Sequence, residues 1–251
     1  MMNISSSTTS SDLYTGGIMT NNHNKHFSIL GDSISTLEGY NPPGYYEYYT
    51  LQDADLFGVA SFEDTYWGML INYLDGKLLV NDSYSGACVV KQKGWPYDFP
   101  SGISDKRIDN LEKGGIVPDV IIVAMGANDY FFDKPLYGEG NDLTSFYEAY
   151  KAMLHKLRSR YKDAEIWSLT YPNPSLKFDG NFELPENGIG LVSDEYNQVI
   201  RKVVREFNDD KIILLDLFGL GRKYESLDGA HPTKKGMQQI FEMIVECLRD
   251  S

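Results

Sequence analysis

The sequence contains little cysteine: only Cys88 and Cys247 occur among its 251 residues. Two cysteines cannot build a disulfide framework, and this pair lacks the CxxC spacing of zinc and redox sites. No His, Asp and Glu residues follow metal-ligand spacing, and the Gly-Leu-Gly at 219–221 lacks the third glycine of a dinucleotide fingerprint. We therefore expect a protein that binds neither a metal nor a cofactor.

Positive charge is also in short supply. Lys and Arg number 23 against 36 Asp and Glu, which gives a formal net charge of −13. Such a chain repels phosphate groups, so nucleic acid and anionic membranes are not expected partners. Residues 1–25 are rich in Ser, Thr and Asn and lack a signal-peptide core, and no apolar run reaches the roughly 18 residues of a membrane helix. We predict a flexible tail over 1–25, one domain over 26–251, and a cytoplasmic protein whose oligomeric state stays open.

Five short apolar runs, separated by segments of helical periodicity, organise the rest of the chain. They are Phe27–Leu30, Leu78–Val80, Val120–Met125, Ile166–Leu169 and Ile212–Leu217. Continuous apolar runs are typical of parallel strands buried on both faces. One helical pattern begins near Asp142, with Ser145 and Glu148 at capping-box spacing. A second follows Ser193, and a third starts at Thr233, an expected N-cap. The alternation predicts a doubly wound three-layer α/β/α sandwich around a parallel sheet.

Residues with catalytic chemistry follow four of these predicted strands. Ser33 follows the first, Gly86 the second and Asn128 the third, while Asp228 and His231 follow the fifth after a short interval. Loops at the carboxyl ends of parallel strands converge at one edge of the sheet. We therefore expect these five residues to lie close together.

A serine, a histidine and an aspartate are the residues that acyl transfer requires. A hydroxyl is a weak nucleophile near neutral pH, so Ser33 needs a base, and imidazole titrates close to that pH. His231 can take the proton, and Asp228 can orient the imidazole through its other nitrogen. The backbone N–H groups of Ser33 and Gly86 and the side-chain amide of Asn128 are candidate donors to the oxyanion.

In this order the four blocks resemble the SGNH hydrolases, also called GDSL esterases and lipases. The matching blocks are Gly31-Asp32-Ser33, Gly86, Gly126-Ala127-Asn128-Asp129, and Asp228 with His231. The chain departs from the pattern at Ile34, where the family has leucine. The resemblance covers Phe27 to about Leu248 and implies a flavodoxin-like five-stranded sheet. The α/β-hydrolase alternative requires Gly-x-Ser-x-Gly, and the second glycine is missing here.

Two aspartates beside these residues remain ambiguous in the sequence. Asp32 and Asp129 can either brace the site through hydrogen bonds or cap the helices that follow them.

Aromatic residues are concentrated in the loops expected at the same edge. Tyr45, Tyr46, Trp95 and Tyr130 are candidates for stacking on sugar faces, although packing of the loops explains such rings equally well. We predict a serine esterase that works through an acyl-enzyme, acting on short-chain or O-acetyl esters, with carbohydrate as a candidate carrier. The alternatives are a lysophospholipase or thioesterase, and a non-catalytic carbohydrate-binding domain on the same scaffold.

Overall fold

The computed structural model describes residues 22–92 and 100–250, and all structural statements concern these residues. The strands are His26–Gly31 (β1), Lys77–Ser83 (β2), Val120–Ala124 (β3), Glu165–Leu169 (β4), Asn173–Leu176 (β5), Ile212–Leu215 (β6) and Lys223–Ser226 (β7). The α-helices are Ala54–Phe57 (α1), Tyr66–Tyr73 (α2), Asp105–Asp109 (α3), Ala127–Phe131 (α4), Phe146–Arg160 (α5), Ser193–Phe207 (α6) and Lys234–Asp250 (α7). None of these helices is long and apolar enough to cross a membrane.

Five strands form one parallel sheet in the order β2-β1-β3-β4-β6. This is the flavodoxin-like order of a doubly wound fold, which confirms the predicted fold class. All five apolar runs became strands, but β2 is longer than predicted. Asn81, Asp82 and Ser83, expected in a loop, continue the strand because β1 pairs with them up to the partners Gly31 and Ser83.

Each face of the sheet packs against its own group of helices. On one face, Ile29 and Ile122 of the sheet share a core with residues of α2 and α7. On the other face, Leu30 and Ile121 share a core with residues of α3, α5 and α6. Burial of one such aliphatic side chain stabilises the fold by about 1.5–3 kcal/mol. The alternation of neighbouring strand residues between two cores explains why the runs are apolar throughout.

Only one of the two predicted helix caps forms as expected. Thr233 precedes α7, and its hydroxyl oxygen accepts a hydrogen bond from the Gly236 N–H at 3.2 Å. Ser145 does precede α5, but its hydroxyl donates to the Asp142 carbonyl at 2.8 Å. The predicted capping box between Ser145 and Glu148 is therefore wrong, because the turn before the helix takes the hydroxyl that would have capped it.

A second, two-stranded parallel sheet was not predicted from the sequence. It pairs β5 with β7, from Asn173 opposite Lys223 to Leu176 opposite Ser226. An isolated antiparallel bridge joins Ser226 to Pro232 and closes the segment between them into a loop. This small sheet therefore fixes the loop at 226–232, which carries two of the predicted site residues.

Candidate active site

The turn after β1 presents Ser33 at the carboxyl edge of the sheet. The Asp32 carboxylate accepts a hydrogen bond from the Ile34 N–H at 3.1 Å and caps a 3₁₀ turn over Ser33–Ser35. The turn fits tightly because Gly31 has no side chain: a Cβ there would lie 2.6 Å from the Ser83 hydroxyl oxygen. Of the two roles considered for Asp32, the structure thus shows the cap.

Asp228 and His231 are organised by the loop between β7 and α7. The Asp228 carboxylate folds back on its own loop and accepts the N–H groups of Ala230 at 2.9 Å and His231 at 2.7 Å. Gly229 between them adopts φ +84°, a left-handed conformation that favours glycine. The local sequence Asp-Gly-Ala-His favours this turn, which adds to the hold of the small sheet on the same loop.

A continuous chain of hydrogen bonds joins Ser33, His231 and Asp228. His231 Nε2 lies 3.0 Å from Ser33 Oγ, a residue 198 positions away, and His231 Nδ1 lies 2.7 Å from Asp228 Oδ2. Burial raises the pKa of Asp228, but the hydrogen bonds from the ring and backbone of His231 lower it more and hold it well below its ordinary value. The structure thus brings together an ionised carboxylate, an imidazole and a hydroxyl in hydrogen-bonding contact.

Tyr48 is a further member of this cluster that sequence reasoning missed. Its ring stacks on the His231 imidazole with centroids 3.4 Å apart and planes 9° apart. Its hydroxyl donates to Asp228 Oδ2 at 2.9 Å. The sequence shows several tyrosines in the loop after Ser33 but nothing that distinguishes this one from its neighbours.

The three candidate oxyanion donors stand at the ends of adjacent strands. Gly86 follows β2 with φ +80°, and Asn128 lies in the first turn of α4, directly after β3. One N–H of the Asn128 amide donates to the Ala87 carbonyl at 3.0 Å, which fixes the side chain and leaves its second N–H for a ligand. Within the two described ranges, no protein acceptor pairs with the N–H of Ser33 or of Gly86. This arrangement is compatible with the predicted role, which stays a prediction.

Asp129 braces the loop that carries Gly86. Its carboxylate is fully buried and accepts the N–H groups of Val89 at 2.8 Å and Val90 at 3.0 Å. Burial raises the pKa of Asp129 to about 7, although these two hydrogen bonds oppose the shift. Bracing, one of the two roles considered from the sequence, is therefore what the structure shows for this residue.

Arg107 contacts the end of β1 just before Ser33 and was not predicted from the sequence. Its side chain is fully buried, pairs with the Asp82 carboxylate at 2.8 Å and donates to the Gly31 carbonyl at 2.7 Å. One guanidinium thus links the ends of β1 and β2. A planar group with five donors is suited to such a bridge.

The comparisons with known proteins agree with this geometry. The family model GDSL-like lipase/acylhydrolase matches residues 25–184, which include Ser33, Gly86 and Asn128. The chain belongs to this family. The resemblance read from the sequence is thereby confirmed, and the GDSL-like protein is an ester-hydrolysing enzyme. Asp228 and His231 lie beyond the matched segment, and no match is found among curated proteins.

Solved structures of GDSL-like proteins resemble the chain over most of its length. A protein described as a GDSL-like lipase from Bacteroides ovatus is 29% identical, with a TM-score of 0.71 over 91% of this chain and 99% of the other. A second, from Bacteroides uniformis, is 25% identical, with a TM-score of 0.67 over 91% and 97%. A carbohydrate acetylesterase family member from Sinorhizobium meliloti shares 16% identity and a TM-score of 0.59 over 90% and 98%, a likeness of fold alone.

Two of the predicted substrate-binding tyrosines of this GDSL-like hydrolase lie near Gly86. The Tyr46 side chain is exposed. The backbone carbonyl of Tyr46 accepts the Ser85 N–H at 2.9 Å, which ties this residue to the loop that carries Gly86. Tyr45 is half-buried: its ring packs edge-on against Tyr84 with centroids 4.9 Å apart, and its hydroxyl donates to Asp82 at 3.1 Å. The Tyr46 side chain is therefore accessible to a ligand, whereas the Tyr45 side chain is engaged in packing and hydrogen bonding.

The other two predicted aromatics have different outcomes. The Tyr130 side chain is 4% exposed, packs against Tyr196 and donates its hydroxyl to the Pro185 carbonyl. The ring packs between α4 and α6, but it also lines an apolar pocket together with Gly126 and Ala127, so its predicted role in substrate binding stays a prediction. Trp95 lies outside the described residues.

No three His, Cys, Asp or Glu side chains in the described segments form a cluster that could hold a metal ion. Cys88 and Cys247 are both buried and are not joined in a disulfide.

Proposed function

We propose that the protein is a serine esterase in which Ser33 is the nucleophile, His231 the general base and Asp228 the acid that orients the imidazole. The observation that carries the proposal is the unbroken hydrogen-bonded chain through these three side chains, with distances of 3.0 and 2.7 Å. It matches the roles that the Ser-His-Asp relay requires. Membership of an ester-hydrolysing family supplies the reaction class.

In the first half of the proposed reaction, Ser33 Oγ attacks the ester carbonyl carbon while His231 Nε2 takes the hydroxyl proton. The carbonyl oxygen becomes an oxyanion that accepts hydrogen bonds from the N–H groups of Ser33 and Gly86 and from the free N–H of Asn128. When the tetrahedral intermediate collapses, the bond to the alkoxide breaks and His231 returns the proton to the leaving oxygen. An acyl-enzyme ester on Ser33 and a free alcohol remain.

In the second half, water repeats the sequence on the acyl-enzyme. His231 Nε2 takes a proton from the attacking water, and the same donors hold the new oxyanion. Collapse breaks the bond to Ser33 Oγ, which recovers the proton from His231, and the carboxylic acid leaves. Asp228 keeps its charge throughout, in agreement with a pKa that lies well below its ordinary value.

Replacing Ser33 with Ala tests the proposal. We expect kcat on p-nitrophenyl acetate to fall at least about 10³-fold and labelling by a fluorophosphonate to disappear, because only an activated serine is captured. Ser159→Ala, on the exposed side of α5, is the matched control and should retain both. Wild-type activity in Ser33→Ala would reject the assignment, and an inert wild type would favour the non-catalytic alternative.

We further propose that the preferred substrates are short acyl esters. An apolar pocket has Ala127 and Gly229 in its lining, which are next in sequence to Asn128 and Asp228. Its free volume is about 20 Å³, little more than the minimum of roughly 10–15 Å³ that one water molecule needs. An acetyl methyl fits such a space, and a long acyl chain does not.

The ratio of rates on p-nitrophenyl acetate and octanoate measures this preference. We expect kcat/KM to favour acetate by at least about tenfold, the scale on which a pocket discriminates by chain length. A clear preference for octanoate would favour the lysophospholipase or thioesterase alternative.

Carbohydrate is the proposed carrier of the acyl group, and Tyr46 is the residue that supports it. Its ring is exposed, and its backbone carbonyl is hydrogen-bonded to Ser85, next to Gly86. The Sinorhizobium meliloti neighbour, a carbohydrate acetylesterase family member, offers a parallel on the same fold. We expect Tyr46→Ala to raise KM for an acetylated oligosaccharide and to leave KM for p-nitrophenyl acetate unchanged. Equal effects on both esters would refute sugar stacking.

A further inference from the structure

Tyr48 contacts two members of the proposed relay at once. Its ring covers one face of the His231 imidazole at 3.4 Å between centroids, and its hydroxyl donates to Asp228 Oδ2 at 2.9 Å. The same carboxylate oxygen accepts from His231 Nδ1 at 2.7 Å. The phenol is thus placed against the side of the histidine that the serine and the carboxylate do not occupy.

The Tyr48 ring is itself held rigidly. Two aromatic rings that also contact each other pack edge-on against it, with centroids 5.4 Å away at Tyr49 and 5.3 Å away at Phe57. Its backbone N–H donates to the Thr36 hydroxyl at 2.8 Å, and that hydroxyl donates to the Ser33 carbonyl at 2.8 Å. A path of direct contacts therefore runs from the nucleophile turn through Thr36 and Tyr48 to the histidine loop.

The Tyr48 hydroxyl completes the coordination of the Asp228 carboxylate. Oδ1 accepts the N–H groups of Ala230 and His231, and Oδ2 accepts His231 Nδ1 and the tyrosine hydroxyl. Burial and the neighbouring Asp228 charge raise the pKa of Tyr48 above its ordinary value. The phenol therefore remains a neutral donor. With its hydrogen bond, all four acceptor positions of the Asp228 carboxylate are filled, although 41% of the Asp228 side chain is exposed.

We propose that Tyr48 is a positioning residue that keeps the His231 ring in line between Ser33 and Asp228 during both proton transfers. The inference rests on the catalytic roles proposed for those three residues. Stacking on one face keeps the imidazole from tilting out of its plane. The Tyr48 hydroxyl restrains the Asp228 carboxylate, which in turn orients the imidazole. When the imidazole carries the proton, the electron-rich face of the phenol also stabilises the positive charge.

Two substitutions separate the ring from the hydroxyl. Tyr48→Leu removes both, and we expect kcat on p-nitrophenyl acetate to fall roughly tenfold with KM unchanged, because Tyr48 acts through the histidine. Tyr48→Phe restores the ring, so we expect kcat to recover to within about threefold of the wild type. The rate of fluorophosphonate labelling should fall in parallel with kcat, since it also requires the base.

Tyr137→Leu is the matched control, because that tyrosine is exposed on the loop before α5. Unfolding midpoints of all variants show whether the native fold is retained. If Tyr48→Leu does not fold, Tyr48→Phe decides: a kcat about threefold lower at constant KM supports the proposal, and wild-type kcat overturns it. A folded Tyr48→Leu variant with wild-type kcat, or with only KM raised, also overturns it. Ser33→Ala in the same assay tests the proposed function separately.

Discussion

Replacing Asp32 with Asn removes a buried carboxyl without removing its hydrogen bond. Asp32 is 1% exposed, and its Oδ1 accepts the Ile34 N–H. Its Oδ2 is buried and has no hydrogen-bond partner among the described residues. An amide has nearly the same shape, and its oxygen can take the place of Oδ1. The substitution therefore changes the charge of the buried group and little else.

The pKa of Asp32 gives the sign and the size of the expected effect. Burial raises this pKa from 3.8 to about 7, against the opposing effects of the Ile34 hydrogen bond and the Arg107 charge. In the unfolded chain the Asp32 carboxyl loses its proton near pH 3.8, its ordinary pKa, whereas in the native state it keeps the proton up to about pH 7. Stability therefore falls as pH rises through this window, by about 4 kcal/mol for a difference of about three pH units. The Asp32→Asn variant has no carboxyl at this position, so its stability does not fall for this reason as pH rises.

Urea unfolding at several pH values measures the difference. Trp67 and Trp167 are fully buried, one on α2 and one on β4, so their fluorescence reports loss of the core. We expect Asp32→Asn to be the more stable protein, with an advantage that grows by about 2 kcal/mol between about pH 5.5 and about pH 8.5. An advantage that stays constant with pH, or a variant less stable at alkaline pH, would refute the assignment of Asp32 as an uncompensated buried carboxyl.

Three further substitutions test how the site is supported. Asp129→Asn should lower the unfolding free energy by about 1–3 kcal/mol in urea, because an amide can accept only one of the two backbone N–H groups and turns its own N–H toward the other. Arg107→Met should cost about 3–5 kcal/mol in the same measurement, because Asp82 is left buried and unpaired; a neutral result would contradict the bridging role. Gly31→Ala should cost about 1–3 kcal/mol because its Cβ has no room, whereas Gly180→Ala, with open space around it, should not.

The main sheet was predictable because its strands are buried on both faces, which makes their sequences apolar from end to end. The extension of β2 through Asn81, Asp82 and Ser83 was not predictable, because these residues are polar. Their side chains are buried through hydrogen bonds to other residues. The small sheet of β5 and β7 was also missed. Its Asn-Pro-Ser-Leu and Lys-Tyr-Glu-Ser strands are four residues long and carry no periodic pattern.

In the site, too, residues that follow a local sequence pattern were predicted, and residues placed by long-range contacts were not. Ser33, Gly86 and Asn128 each follow a strand closely, so a correct strand assignment places them at one edge. Tyr48 and Arg107 depend on contacts that no local pattern encodes. Tyr48 meets Asp228 across 180 positions of the chain, and Arg107 meets Gly31 across 76. A single sequence contains no signal for such pairs.

The site consists of two units that are each organised locally and are joined by one segment. The turn around Ser33 is fixed by its own cap, and the loop with Asp228 and His231 is fixed by its own carboxylate. Besides the contact between Ser33 and His231, the links between these units come from the segment that carries Tyr48 and Tyr49. The Tyr49 hydroxyl donates to the Pro232 carbonyl at 2.8 Å, and its side chain is 1% exposed. Both links are hydrogen bonds donated by tyrosine hydroxyls, one to the Asp228 carboxylate and one to a backbone carbonyl, so two adjacent residues connect the turn of Ser33 to the loop of His231.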